Sequence, residues 1–436
     1  MLQRPSRRDG SHLSLAEAAE YAPEAVKLAG GSVRSGPLRA IAAESGLERV
    51  RIVAWRDLED PEAGGSELHA HRIASLWAAA GIAVELRTSS VPGGPSAVER
   101  DGYRVLRRGG RYGVFARAGM EGLVRGRRPG EGLVEIWNGM PFWSPLWFGG
   151  PRVVFLHHVH AEMWRMVLPP WMARLGEATE RHLAPPLYRT TRVITLSESS
   201  RGEIVGMLGL DPAKVSVVPP GVEPRFSPGD PKERAREPLV VAVGRLVPVK
   251  RFDLLMRALA RVKATVPELR AVIAGEGYDR PRLEAVRREL GATSWVSMPG
   301  HVGDDALVAL YRRAWAVASV SRREGWGMTL TEAGACATPS VASDIAGHRD
   351  AVVHGQSGLL AGEGEEAIAS AVRRLLGDAA LRARLGAGAL AHAQTFTWDA
   401  AATATLQALA EEACWAAGDY RLPFGAGAGA GAGVVA

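Results

Sequence analysis

The sequence predicts an α/β protein of two doubly wound, Rossmann-like domains facing each other across a cleft. Three observations carry this. Apolar strand-like runs alternate with amphipathic helical stretches from residue 50 onward, the alternation pauses once, and it starts again at Leu239 in the same pattern. Alternating β and α units imply parallel sheets covered by helices on both faces. The pause is Pro219-Pro220-Gly221-Val222-Glu223-Pro224 followed by a polar stretch to residue 238, the composition of a linker.

Taken in order, residues 1–48 are rich in Ala, Gly, Arg and Ser and read as an N-terminal extension. A strand over 50–55 leads through a polar loop to Gly64-Gly65, and a helix over 66–80 carries Ile73, Leu76, Trp77 and Ala80 at helical spacing. Gly81 stops it, and strands follow over 82–86, 153–156, 192–196 and 215–218. The second series has strands over 239–243, 270–274, 295–298, 316–319 and 340–343. Helices are expected over 251–266, 280–290, 304–313, around Thr331 and over 365–376. The domains are therefore expected over 49–230 and 237–395, with a C-terminal helix over 396–418 and a flexible Gly/Ala tail over 425–436.

Composition narrows the function classes. With 47% hydrophobic and 23% charged residues, the 436-residue chain has the balance of a globular protein. No run of about 18 apolar residues predicts a transmembrane helix. The basic N-terminal stretch lacks the apolar region of a secretory signal, which makes a cytoplasmic location the expectation. Cys336 and Cys414 alone make neither a disulfide framework nor a zinc cage. The net charge is +6, and nine arginines crowd the stretch from Glu99 to Arg128. That cluster reads either as a solvated surface or as an attractor for anionic acceptors or the inner membrane face. Nucleic acid is not expected as a partner, since no recognition motif or aromatic ladder accompanies the arginines.

Ligands of doubly wound sheets bind beyond the C-terminal ends of the strands, and four sets of residues fall there. Glu324-Gly-Trp-Gly-Met-Thr-Leu-Thr-Glu332 follows a strand and opens a helix, so the amides of Met328, Thr329 and Leu330 are candidates to meet an anion. Arg245 and Lys250 flank the loop after the first strand of the second domain, a reasonable clamp for a diphosphate. Gly64-Gly65 makes the corresponding turn in the first domain. Neither that turn nor Gly275-Glu276-Gly277 matches a dinucleotide fingerprint, so a nicotinamide oxidoreductase loses its main support. His157-His158-Val159-His160 ends a strand, with His158 pointing opposite to its neighbours; substrate contact and a satisfied polar role weigh equally there. The histidines fit no zincin spacing and no Asp-x-Asp pair occurs, so no metal is expected.

Together these features resemble the family-4 retaining glycosyltransferases of the GT-B fold, over residues 51–398. Glu324 to Glu332 is similar to that family's paired-glutamate element, with Trp326 where phenylalanine is usual. Gly244-Arg245 with Lys250 resembles its diphosphate clamp, with Arg251 where glycine is frequent. Gly64-Gly65 resembles the glycine loop, and Pro220-Gly221-Val222 the end of the first domain. Gly347-His348-Arg349-Asp350 carries Asp350 where glutamate is common, and Thr397-Trp398-Asp399 begins a helix that in GT-B enzymes returns to the first domain. Trp55-Arg56-Asp57 with Gly64-Gly65-Ser66-Glu67 resembles a bacterial subgroup.

The resemblance implies a metal-independent, cofactor-free transferase that moves a sugar from a nucleotide diphosphate sugar to a small-molecule, glycan or lipid-linked acceptor. Arg245 and Lys250 would neutralise the diphosphate, and Glu332 would bind ribose. Glu324 and His157 would face the sugar, with His158 standing where aspartate is frequent. Gly65, Met328, Thr329 and Leu330 would line the donor, and main chain at Val302 would hold the base. The alternative is a non-catalytic nucleotide-sugar binding or partner protein on the same fold.

Overall fold

The computed structural model describes residues 35–418, so residues 1–34 and the Gly/Ala tail over 425–436 lie outside the described residues. Two sheets organise the rest. The first half runs α1 (Ser35–Ser45), β1 (Arg49–Val53), α2 (Gly65–Ala79), β2 (Ala83–Thr88), β3 (Ala97–Arg100), β4 (Tyr103–Arg107), α3 (Gly113–Arg125), β5 (Glu131–Trp137) and β6 (Arg152–Leu156). It continues with α4 (Met163–Val167), α5 (Pro170–Ala178), α6 (Pro185–Tyr188), β7 (Arg192–Thr195), α7 (Glu198–Leu208) and β8 (Val215–Val217). Its eight strands are ordered β3-β4-β2-β1-β5-β6-β7-β8, all pairs parallel except β3 with β4.

The second half runs β9 (Leu239–Val243), α8 (Phe252–Lys263), β10 (Arg270–Ala274), α9 (Arg280–Glu289), β11 (Val296–Gly300), α10 (Asp304–Arg313) and β12 (Ala316–Ser319). Then come α11 (Met328–Ala335), β13 (Ser340–Ser343), α12 (His348–Ala351), β14 (Gly358–Ala361), α13 (Glu365–Gly377), α14 (Ala379–Ala393) and α15 (Trp398–Ala416). Its six strands are ordered β11-β10-β9-β12-β13-β14 and are all parallel. In both sheets the order reverses beside the first strand, β1 or β9, which opens a crevice at the strand ends.

Side-chain alternation divides the first sheet into two faces. Val50 and Ile52 of β1 and Val84 and Leu86 of β2 enter a large core with α1, α2 and α15, whereas Val53 and Leu133 face Val114 and Ala118 of α3. Residues 35–45, read from the sequence as part of an extension, are thus built in: Leu38 and Ile41 are buried and α1 packs on α15. α15 also lies on α2, β5 and β6, and its Ala402 carbonyl accepts from the Trp77 indole at 3.0 Å. Where the chain leaves the first sheet and where it returns, the two segments run side by side: the Val222 amide donates to the Phe396 carbonyl at 3.1 Å.

The arginine cluster is the main departure from the sequence reading. Arg107 is 1% exposed, and its guanidinium reaches Asp57 at 3.0 Å and Glu59 at 2.7 Å. Arg100 joins the same two carboxylates and Arg111 pairs with Glu62 at 2.6 Å. These arginines are not a free basic face. They tie the β3–β4 hairpin to the β1–α2 loop and so fix a loop that borders the crevice.

Candidate active site

On the second sheet, β9 leads into Gly244 at φ +155°, and a Cβ on Gly275 would lie 2.0 Å from the Gly244 carbonyl oxygen. Two strand-end loops therefore run in contact, which only glycine permits. Arg245 extends across the crevice, where its guanidinium donates to the Glu62 carbonyl of the first domain at 3.0 Å. Lys250 ends a short 3₁₀ turn and forms an ion pair with Glu324. Arg251 then adopts φ +52°, a left-handed conformation that disfavours a side chain. This is the physical reason glycine suits that position.

The loop from Glu324 to α11 is shaped by close approach. A Cβ on Gly325 would lie 2.5 Å from the His157 carbonyl oxygen, and one on Gly347 would lie 2.6 Å from that of Glu324. Gly327, at φ +104°, starts α11. One expectation fails here: the Leu330 amide donates to the Gly327 carbonyl at 2.9 Å, so it is not available to an anion. Met328 and Thr329 are the first two residues of α11, so their amides precede any intrahelical bond. Gly65 faces them, since a Cβ there would lie 3.0 Å from the Met328 sulfur, while one on Gly64 would lie 3.3 Å from Nε of Arg245. The glycine pair lets the two domains meet.

The two glutamates sit in different environments. Glu324 accepts from the Ser321 hydroxyl at 2.9 Å besides its pair with Lys250. Burial pushes its carboxyl up, but Lys250 and His348 outweigh this and hold it below the usual carboxylate range. Glu332 accepts from the Tyr311 hydroxyl of α10 at 3.0 Å, and burial pushes its carboxyl up to about 7. Val302 lies on the loop from β11 into α10, the helix that holds Glu332 through Tyr311.

On the first domain, His157 is 6% exposed at the end of β6, with Nε2 3.3 Å from Nδ1 of His69 on α2. Burial lowers its pKa to about 4, so the ring is neutral at pH 7. His158 instead stacks on His160, their ring centres 4.8 Å apart. Glu180 fixes this corner by accepting from the His160 and Ala161 amides at 2.8 and 3.0 Å and from the Trp164 indole at 3.1 Å.

Arg56 stands at the crevice and was not assigned a role from the sequence. Its guanidinium donates at 2.7 Å to the same Glu62 carbonyl that Arg245 uses, and it lies over the Trp55 ring, 3.9 Å from the centroid. The two guanidiniums share one carbonyl oxygen, with the Glu62 and Glu67 carboxylates beside Arg56. The signal available was position, one residue beyond a strand-end Trp on the ligand-bearing edge.

A network locks the two domains together beside this group. Ser197 and Ser200 hydroxyls donate to the Gly325 carbonyl at 3.2 and 3.3 Å. Asp350 accepts from the Glu198 and Ser199 amides at 3.0 and 3.3 Å, the start of α7, and from the Ser199 hydroxyl. Arg323 reaches the Val159 carbonyl at 3.1 Å and Glu203 at 2.6 Å. Among the described residues no group of three or more His, Cys, Asp or Glu is placed to hold a metal ion, and no helix is long and apolar enough to cross a membrane.

Comparison with known proteins agrees with this geometry. Residues 63–226 match the model of Glycosyltransferase Family 4, and residues 225–392 match that of Glycosyl transferases group 1. A D-inositol 3-phosphate glycosyltransferase of Stackebrandtia nassauensis is 32% identical over 421 residues, spanning 84% of this chain and 92% of that protein. One from Kineococcus radiotolerans is 32% identical over 405 residues, with 79% and 90% covered. Among solved structures, a sucrose-phosphate synthase from Thermosynechococcus elongatus aligns with TM-score 0.70 at 20% identity, covering 82% of this chain and 97% of that one. HepE of Anabaena, solved with UDP-glucose, aligns with TM-score 0.64 at 18% identity, covering 83% and 98%.

Proposed function

The chain belongs to the family-4 glycosyltransferases, and we propose that it moves a sugar from a nucleoside diphosphate to an acceptor hydroxyl with retained anomeric configuration and without a metal ion. The observation that carries this reading is the convergence of Arg245, Lys250 and the first amides of α11 beside Glu324, at the strand-end edge that Gly64-Gly65 closes from the other domain. Breaking the sugar–phosphate bond leaves positive charge on the sugar and added negative charge on the diphosphate. Arg245 and Lys250 with the Met328 and Thr329 amides are fixed donors for that diphosphate, and such preorganised groups stabilise charge that grows in the transition state. Glu324 carries the negative charge suited to the sugar side, and His157, neutral at pH 7, supplies a hydrogen-bonding nitrogen there. Glu332 is the candidate for the ribose hydroxyls and the main chain at Val302 for the base. No enzyme nucleophile is assigned.

For the acceptor, the relatives named for D-inositol 3-phosphate suggest a phosphorylated polyol. Arg56, a cation on the first-domain side of the crevice, suits an acceptor phosphate. The donor would be drawn from the cytoplasm, the location the sequence suggests.

The test is turnover. UDP-, GDP- and ADP-sugars are supplied with inositol phosphate or unphosphorylated inositol, in EDTA and then with added Mg²⁺. Nucleotide release that persists in EDTA and depends on the phosphorylated acceptor is the expected result. Activity lost in EDTA and restored by Mg²⁺ refutes metal independence, and nucleotide binding without release on any acceptor refutes the transferase reading of this site.

A further inference from the structure

A second cavity, of about 520 Å³, lies between the sheet and α3, and none of its lining residues belongs to the crevice group. Its floor is the sheet face that carries Val53, Arg87 and Leu106, and its roof is α3. Charge at one end is unbalanced. Among the described residues Glu121 is the one carboxylate that Arg87, Arg108 and Arg117 reach, at 3.0, 3.7 and 2.9 Å. Arg87 is 3% exposed, and its Nη2 is buried in the cavity wall without a hydrogen-bond partner among the described residues. A buried guanidinium nitrogen left unpaired is costly, so an anion completing it is favoured.

The helix above this cavity is inverted in its apolar pattern. Its buried positions are the small Val114, Ala118 and Gly122, while Met120, Leu123 and Val124 face outward at 60%, 65% and 90% exposure. A surface helix ordinarily buries its large apolar side chains. Ala118 and Gly122 line the cavity from within, Met120 and Val124 line it from its exposed side, and these outer apolar side chains offer a contact that free phosphate has no use for. We propose that this cavity binds the phosphate headgroup of an acidic phospholipid at a bilayer surface, with Arg87, Arg108 and Arg117 as its ligands and the outer face of α3 seated among the lipid chains. The occupant follows from complementarity: excess positive charge at one end of the cavity and exposed apolar side chains along its outer side.

The experiment is flotation of the full chain with vesicles of phosphatidylcholine alone or mixed with phosphatidylglycerol. Wild type is expected to float with the mixed vesicles and not with the neutral ones. Arg108→Gln with Arg117→Gln should weaken that binding by about 25-fold, at about fivefold per cation near an anionic surface. Leu123→Ser with Val124→Ser should weaken it with every charge in place. Donor turnover in these variants shows that they fold, and it also keeps a failure here distinct from a failure of the transferase reading. If inorganic phosphate raises the thermal midpoint of wild type but not of the arginine variant, and no vesicle floats the protein, the ligand is a free anion and the lipid assignment falls. Equal flotation of wild type and both variants overturns the proposal, as does a dimer in solution that Leu123→Ser with Val124→Ser dissolves.

Discussion

Glu332 and Glu324 bracket one loop and helix start, yet their surroundings drive their protons in opposite directions. Below about pH 7 Glu332 is increasingly protonated, and a neutral carboxyl is the weaker acceptor for ribose hydroxyls. Donor KM is therefore expected to rise as pH falls from 8 to 6, and Glu332→Gln should flatten that limb while raising KM about 10- to 150-fold at pH 8, the loss of about 1.5–3 kcal/mol of charge-assisted hydrogen bonding. Initial rates over donor concentration at each pH measure both. Glu324 stays ionised beside Lys250 throughout this range, and it meets charge that grows only as the bond breaks. Glu324→Gln should lower kcat by about 100-fold with a smaller change in KM. A KM effect alone would make Glu324 a binding residue. Arg245, Lys250 and the two glutamates were legible in the sequence because strand-end loops concentrate charged side chains where apolar runs stop. Arg56 was not, because its place just beyond the first strand was its one local mark in a chain with 53 basic residues. Its significance comes from sharing the Glu62 carbonyl with Arg245, which is remote in sequence.

At the scale of elements, the start of α7 is capped from both sides of the crevice. Ser197 accepts the Ser200 amide at 3.1 Å, while Asp350, from the other domain, takes the amides of Glu198 and Ser199. Asp350→Ala removes a cap worth about 1 kcal/mol that exists only while the domains are together. It should raise donor KM about fivefold and lower urea-unfolding stability by a similar energy. An unchanged KM would show that donor binding does not depend on this contact. Arg251→Gly should be neutral or stabilising by up to about 1 kcal/mol, against the usual cost of an Arg-to-Gly change, since it relieves the left-handed backbone. The second sheet was readable from its apolar runs, nearly to the residue at β9, β10, β12 and β13. β5 escaped because Glu131 and Glu135 interrupt its apolar run, both buried. Arg51 satisfies the first at 2.9 Å and the Tyr188 hydroxyl the second at 2.8 Å. The β3–β4 hairpin had a signal in Asp101-Gly102, both at positive φ, a favoured two-residue turn between alternating segments.

Across the molecule, several histidines are buried uncharged: burial lowers His157, His160 and His348 to about 4 and His71 to about 3. Unfolded, each binds a proton near pH 6.5, so between pH 6.5 and 4 the unfolded chain holds more protons than the folded one. Stability should therefore fall as pH drops through that window, with a steeper loss of thermal midpoint between pH 6.5 and 5 than between 8 and 6.5. Glu332, pushed up to about 7, acts with the opposite sign, so a flat midpoint over the acid window would show that the histidines do not outweigh the buried carboxyls. Finally, α15 supplies one wall of the first domain from the far end of the sequence, under Trp77 and against α1. During synthesis the chain must wait for residues 398–416 before that core can close, whereas the second sheet and its helices are complete once residue 393 has emerged. Translation therefore finishes the second domain before the first. A released chain truncated after residue 395 should resist protease over 239–393 and be cut within 49–217, and the full chain should be protected over both.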